Sequence, residues 1–227
     1  MSEQIRFVIR GTSPLLCHNP QMVDPECEIN REIKSYTSKR KKTDDDMKQI
    51  ERLEWYGGIY TGEVSGKVTV TQPTSKLRKC LVNAARISKQ GKQIERAIIT
   101  TALNVELLYD DAGRLPDLTA ELDRLQRDTA YNSRLSVGIG NKRVMRVRPQ
   151  FNRWAMVVPA VFLPNAGLNP DELQAIFDLA GSAERIGDNR VNGYGAFVGV
   201  IAEQKDKVDH SYTGVVKFIE SKQGSKK

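Results

Sequence analysis

Between Asn169 and Glu203 the chain must start a helix, stop it, turn and enter a strand within one short stretch, and this succession narrows the folds open to it. Asn169 is a cap, Pro170 suits the first helical position, and Glu172 sits where a capping box needs a carboxylate. Leu173, Ile176, Phe177 and Ala180 then recur at helical spacing. The segment "RIGDNRVNGYGAF", Arg185 to Phe197, places glycines at 187, 193 and 195, and "YGAFVGVIAE" resumes as a strand. At the other end Ile5, Phe7 and Ile9 alternate before Gly11, the signature of an amphipathic strand. Strands at both ends with helices between them predict an α+β fold, a mainly antiparallel sheet backed by helices.

The middle of the chain fits this expectation. Thr43 followed by Asp44, Asp45 and Asp46 marks a helix start, Met47, Ile50 and Leu53 give its apolar stripe, and Gly57 with Gly58 ends it. "GIYTGEVSGKVTVTQP" reads as a hairpin around Ser65 and Gly66. Leu77, Cys80, Leu81, Ala84 and Ile87 form a helical stripe whose other face, Lys76, Lys79, Arg86 and Lys89, is either solvated or anion-facing. "AIITTALNVELLYDD" reads as strand, Leu118 to Gln126 as a short helix or loop, and "RVMRVRPQF" with "RWAMVVPAVFL" as paired strands. In the first of these, Arg146 and Arg148 share a face and are expected outward, with Met145 and Val147 on the buried side. The organisation expected is a single domain over 1–220, a charged helical insertion near 29–58, and a flexible basic tail at 221–227.

Composition excludes several classes. The longest apolar run, "WAMVVPAVFL", is short of the roughly 20 residues of a membrane span, and "MSEQIRFVIR" lacks a secretory pattern. A cytoplasmic protein is expected. Cys17, Cys27 and Cys80 are an odd set without zinc spacing, so free thiols are expected and no metal. The Asp44–Asp46 run reads as a helix N-terminus. With only His18 and His210, and no G-x-S-x-G, H-E-x-x-H or kinase signature, no catalysis and no cofactor are expected. "GIGNKR" lacks the phosphate-loop Lys-Ser/Thr pair and reads as a basic hairpin turn.

The charge pattern carries the functional argument. Net charge is +7, and from Thr129 to Pro170 there is no Asp or Glu, while Arg134, Lys142, Arg143, Arg146, Arg148 and Arg153 all fall there. Such a run is either a solvated face or an attractor of polyanions. Lys39, Arg40, Lys41 and Lys42 add a basic knot on a segment expected to be flexible, and Tyr131, Phe151 and Trp154 supply rings that could stack on bases, although Trp154 suits a core equally well. The glycine segment also has two readings. It is a tight connection from helix to strand, or it lays bare amides, Arg190 and Tyr194 against a nucleic-acid backbone or base.

"VIRGTSPLL" together with "IGDNRVNGYGAF" resembles the RAMP superfamily of RRM-like, ferredoxin-fold subunits that line CRISPR RNA. Gly187, Gly193, Gly195 and Phe197 fit the second half of its glycine-rich loop, and Arg185 stands where the fuller motif has another glycine. "PLLCHN", "SKRKKTDDD", "RLEWYGGIY", "RVMRVRPQF" and the same glycine segment are similar to a family of small basic phage proteins that includes single-stranded-DNA-binding proteins of the Drc type. The resemblances imply an RRM- or ferredoxin-like core with a helical insertion. They also imply sequence-tolerant, non-catalytic binding of single-stranded DNA by an oligomer acting in phage replication or transcription in the host cytoplasm. The expected surface comprises Lys39 to Lys42, Arg134, Lys142, Arg143, Arg146, Arg148, Arg153, Arg190 and Tyr194. Its alternatives are an RNA-binding RAMP-like subunit and an adaptor that meets an acidic protein such as a polymerase.

Overall fold

The computed structural model describes residues 2–111, 113–140 and 142–224; the side chains of Ile139, Lys142 and Asn165 also lie outside the described set. In chain order the elements are β1 (Glu3–Gly11), β2 (Leu15–Leu16), α1 (Glu28–Thr37), α2 (Asp44–Gly58), β3 (Thr61–Val64), β4 (Lys67–Pro73), α3 (Thr74–Ile87), α4 (Gly91–Ala97), β5 (Ile98–Thr100) and β6 (Asn104–Glu106). They continue with α5 (Leu118–Arg127), β7 (Asn132–Ile139), β8 (Lys142–Phe151), β9 (Ala155–Phe162), α6 (Pro170–Leu179), β10 (Phe197–Glu203) and α7 (Tyr212–Gly224). The fold is α+β with mainly antiparallel sheets. Where the sequence reads as one domain with an insertion near 29–58, the contacts cluster into two compact units. One is Met1–Leu15, Thr61–Arg114 and Asn152–Lys227; the other is Leu16–Tyr60 and Leu115–Phe151.

The first unit is built on the four-stranded sheet β10-β1-β9-β5. Its pairings are all antiparallel. Helices α3 and α4 lie between β1 and β5 in the chain, and α6 lies between β9 and β10, which is the connectivity of a ferredoxin-like split βαβ pair. Alternation in β1 sends Ile5, Phe7 and Ile9 to one face, where the Phe7 ring meets Phe177 of α6 edge-on at 5.0 Å between centroids. Val8 points to the other face, and that face is not open: Val157 and Val200 join it in packing against Tyr212, Val215 and Ile219 of α7. The α7 start is fixed by Asp111, whose carboxylate accepts the N–H groups of Tyr212 and Thr213 at 2.7 Å each. Lys222, near its end, pairs with Asp206 at 2.9 Å. Residues 221–224 therefore belong to a helix rather than to the flexible tail read from the sequence, because the apolar side of α7 has a sheet to bury against; residues 225–227 lie outside the described set. A second sheet, β3-β4-β6, carries the hairpin expected at Ser65 and Gly66. The strand read over "AIITTALNVELLYDD" is broken in two, since β5 pairs with β9 and β6 with β4. At the break the Thr74 hydroxyl donates to the Ala102 carbonyl at 2.6 Å.

The glycine segment closes on its own backbone. Ile186 N–H donates to Gly195 O at 3.0 Å, and Gly195 N–H donates to Pro14 O at 2.8 Å. Ala196 N–H donates to Ser13 Oγ at 2.9 Å. Gly195 has φ +73, and a Cβ there would stand 1.6 Å from Ile186 O. What comes close is thus the chain itself, and the tight-connection reading describes this segment.

The second unit packs α1, α2 and α5 with the β7–β8 hairpin, whose outer neighbour is β2. The Thr43–Asp46 capping box starts α2 as the sequence predicts. Trp55, fully buried, donates from Nε1 to Tyr131 O at 2.9 Å, and Tyr131 meets Phe151 edge-on at 5.7 Å. The expected pairing of "RVMRVRPQF" with "RWAMVVPAVFL" does not form: β8 pairs with β7, and β9 lies between β1 and β5. Loop length does not choose between the two, since two residues separate β7 from β8 and three separate β8 from β9; β9 is instead taken up on its two edges by β1 and β5.

Gly195→Ala is expected to cost at least about 3 kcal/mol, because a left-handed φ and a backbone overlap are imposed together. Gly193→Ala, at φ +97 with nothing within 4 Å of the new Cβ, is expected to cost only about 1–2 kcal/mol. Urea denaturation of the two variants tests the ranking.

Candidate nucleic-acid interface

The arginines of β8 lie on its less buried side, as the alternation predicts, but they are only half-exposed, and Met145, expected on the buried side, is open to solvent. Val147, Pro149 and Phe151 are buried, Arg146 and Arg148 are half-buried, and Met145 is 47% exposed. The physical reason lies in α2. Glu54, 5% exposed at its side chain, takes the Arg146 guanidinium on one carboxylate oxygen and the Val147 N–H, at 2.9 Å, on the other. A carboxylate so deeply buried needs both donors, and Arg146 is held to supply one of them.

Around this pair the second unit forms a cavity of about 600 Å³. Its cations are Lys34 of α1, Arg146 and Arg148; His18 and Asn30 add polar groups; Met22, Ile33, Val137 and Val147 give it an apolar lining. Burial first, and the neighbouring Arg146 charge second, lower the pKa of Arg148, so its guanidinium gains from any anion that enters. Lys34 makes no ion pair among the described residues. Cations over an apolar lining can neutralise a phosphate while a base or sugar covers the hydrophobic part.

The other expected residues are scattered. Arg134 pairs with Glu51 of α2 at 2.5 Å. Arg143 is exposed near the hairpin tip with no ion partner among the described residues, and the Lys142 side chain falls outside the described set. In the turn between α1 and α2, Lys39 pairs with Asp46 at 2.5 Å and Lys42 donates to Lys39 O at 3.1 Å, while Arg40 and Lys41 are exposed. The knot is therefore a tied turn, because the cap of α2 recruits a lysine from the preceding segment. Arg153, Arg190 and Tyr194 belong to the first unit. Arg153 lies over the Tyr212 ring at 4.6 Å, and Arg190 donates to Glu184 O at 3.2 Å. Tyr194 is half-buried. The stacking reading of Trp154 is overturned: it is fully buried and donates from Nε1 to Ser13 O at 2.8 Å. Phe151 is fully buried too and offers no ring to a ligand.

Sequence reasoning missed Lys34, His18 and Asn30, which reach the cavity only through the packing of α1 and the turn before it. The one available signal was Ile33, whose burial on α1 sets Lys34 beside an inward-facing position. Cys17 and Cys80 are buried thiols, and burial pushes the Cys80 thiol up to about 12. No helix among the described residues is long and apolar enough to cross a membrane. No family model matches the chain, and no curated protein matches it.

Removing Arg146 alone, as Arg146→Ala, is expected to lower stability by about 3 kcal/mol by taking from the buried Glu54 carboxylate its paired guanidinium; Arg146→Ala with Glu54→Gln should recover much of that loss in a urea melt. At the α2 cap, the Lys39 ammonium, followed by the Thr43 N–H, lowers the Asp46 pKa from 3.8 to about 2. A depressed carboxylate pKa stabilises above its unfolded value and loses that contribution as pH falls through its folded one. The difference in melting temperature between the unaltered protein and Lys39→Gln should thus be full near pH 6 and shrink as the pH falls from about 4 to about 2; a constant difference would remove the pair from the account.

Proposed function

We propose that the protein binds single-stranded nucleic acid without catalysing a reaction on it, and that the cavity of the second unit and the adjoining β7–β8 hairpin take the strand. The observation that carries this reading is the placing of Lys34 and Arg148, beside the Arg146–Glu54 pair, around an apolar lining. Arg143 on the exposed hairpin extends the positive surface. A single strand suits such a site because its phosphates and its unpaired bases are both available, whereas a duplex hides the bases and asks for a helix or ribbon shaped to a groove. The reading of DNA over RNA, and of a phage protein assembling on its strand in the host cytoplasm, rests on the resemblance carried by "SKRKKTDDD", "RLEWYGGIY" and "RVMRVRPQF". The sheet of the first unit is a poor platform in this reading, since α7 covers the face that an RRM-like domain would give to bases.

Fluorescence anisotropy of labelled single-stranded DNA, single-stranded RNA and duplex DNA across a salt series tests the proposal. Tight, salt-dependent binding of single strands with weaker duplex binding is expected. Arg143→Gln with Arg148→Gln, which spares the Glu54 pair, should weaken binding about tenfold or more and reduce the salt slope by about 1.4. Unchanged affinity in that folded variant would overturn the assignment of the site.

A further inference from the structure

The first unit carries a second concentration of cations that the sequence left undecided. At the corner between α3 and α4, Arg86, Lys89, Lys92 and Arg96 surround a recess of about 640 Å³ in which Glu95 is the sole lining acid among the described residues. Glu95 lies 3.8 Å from Arg86, too far to neutralise more than one of the four. Lys89, Lys92 and Arg96 have no ion partner among the described residues. Ile87, beside them in the chain, is 63% exposed.

The backbone at this corner is arranged at a cost. Helix α3 ends with Gln90 N–H donating to Ala85 O at 2.8 Å and Lys89 N–H donating to Arg86 O at 3.1 Å. In such a cap the left-handed residue is ordinarily glycine, yet Lys89 holds it at φ 59. The next glycine, Gly91, stands where a Cβ would be 2.8 Å from Arg86 Cγ, so the Arg86 stem lies against the backbone of the α4 start. Like charges crowded around one recess raise one another's energy, and an anion between them relieves it.

We propose that this corner is a second site for the phosphodiester backbone of single-stranded nucleic acid, with Lys89, Lys92 and Arg96 as the phosphate-binding residues. The inference rests on the nucleic-acid reading of the second unit and adds a site in the first.

Two variants of the full chain test it, with a labelled oligothymidylate as probe. Lys89→Gly removes a cation and relieves the left-handed strain, so it should raise the melting temperature by about 2–4 °C while weakening binding several-fold. A loss of affinity that accompanies a gain in stability cannot come from damage to the fold. Lys92→Gln with Arg96→Gln should weaken binding about tenfold and lower the salt slope by about 1.4. If both variants bind as the unaltered protein does while Arg143→Gln with Arg148→Gln binds weakly, the corner is not a site and the proposed function stands. If the unaltered protein binds no strand at low salt, both are overturned.

Discussion

The first unit depends on β1 being hydrogen-bonded along both edges. It pairs with β9 from Glu3 to Arg10 and with β10 from Ile5 to Gly11. Both partners come from the last third of the chain, so the sheet forms only when the ends of the sequence meet. Everything inserted between them must leave the sheet and return to it at fixed points. The chain does this twice: it departs after Leu15 and returns at β3, then departs after Arg114 and returns before β9. These two excursions make the second unit, and strands of the first pin the ends of each.

The same dependence explains what could be read from the sequence. Local signals were legible because their physics is local: the capping boxes at Thr43 and Asn169, the hairpin at Ser65 and Gly66, and the stripe of α3 all appear where spacing placed them. Strand partners were not legible, since alternation in β8 and β9 is the same whichever strand lies beside them. The glycine segment was half legible. Its turns follow from composition, but the demand at Gly195 comes from Ile186 O, and the tie to Pro14 bridges nearly the whole chain.

The acid-free stretch shows the same limit in electrostatics. In sequence it is uninterrupted positive charge; in the fold, α2 brings Glu51 to Arg134 and Glu54 to Arg146. Two of its arginines are thereby paired, and the positive charge left to a ligand is less than the sequence shows. Lys34 gains its place in the cavity by the same tertiary packing. Net charge along a segment is therefore a poor measure of the charge that a ligand meets, because a buried carboxylate from elsewhere can cancel it.

The position of β1 also bears on how the protein is made. Synthesis delivers β1 first and its partners last, so at 5–20 residues per second the strand waits on the order of 10–30 s on the ribosome without a partner. During that interval "IRFVIR" is an apolar, β-prone stretch open to any other unpaired strand. Arg6 and Arg10 flank its apolar middle on one side, and charges so placed keep strand edges from joining wrongly. Once the sheet has closed, Arg6 donates to the Glu203 carbonyl at 2.9 Å. A charge that guards the nascent strand thus ends as a clasp on β10, the last strand to arrive.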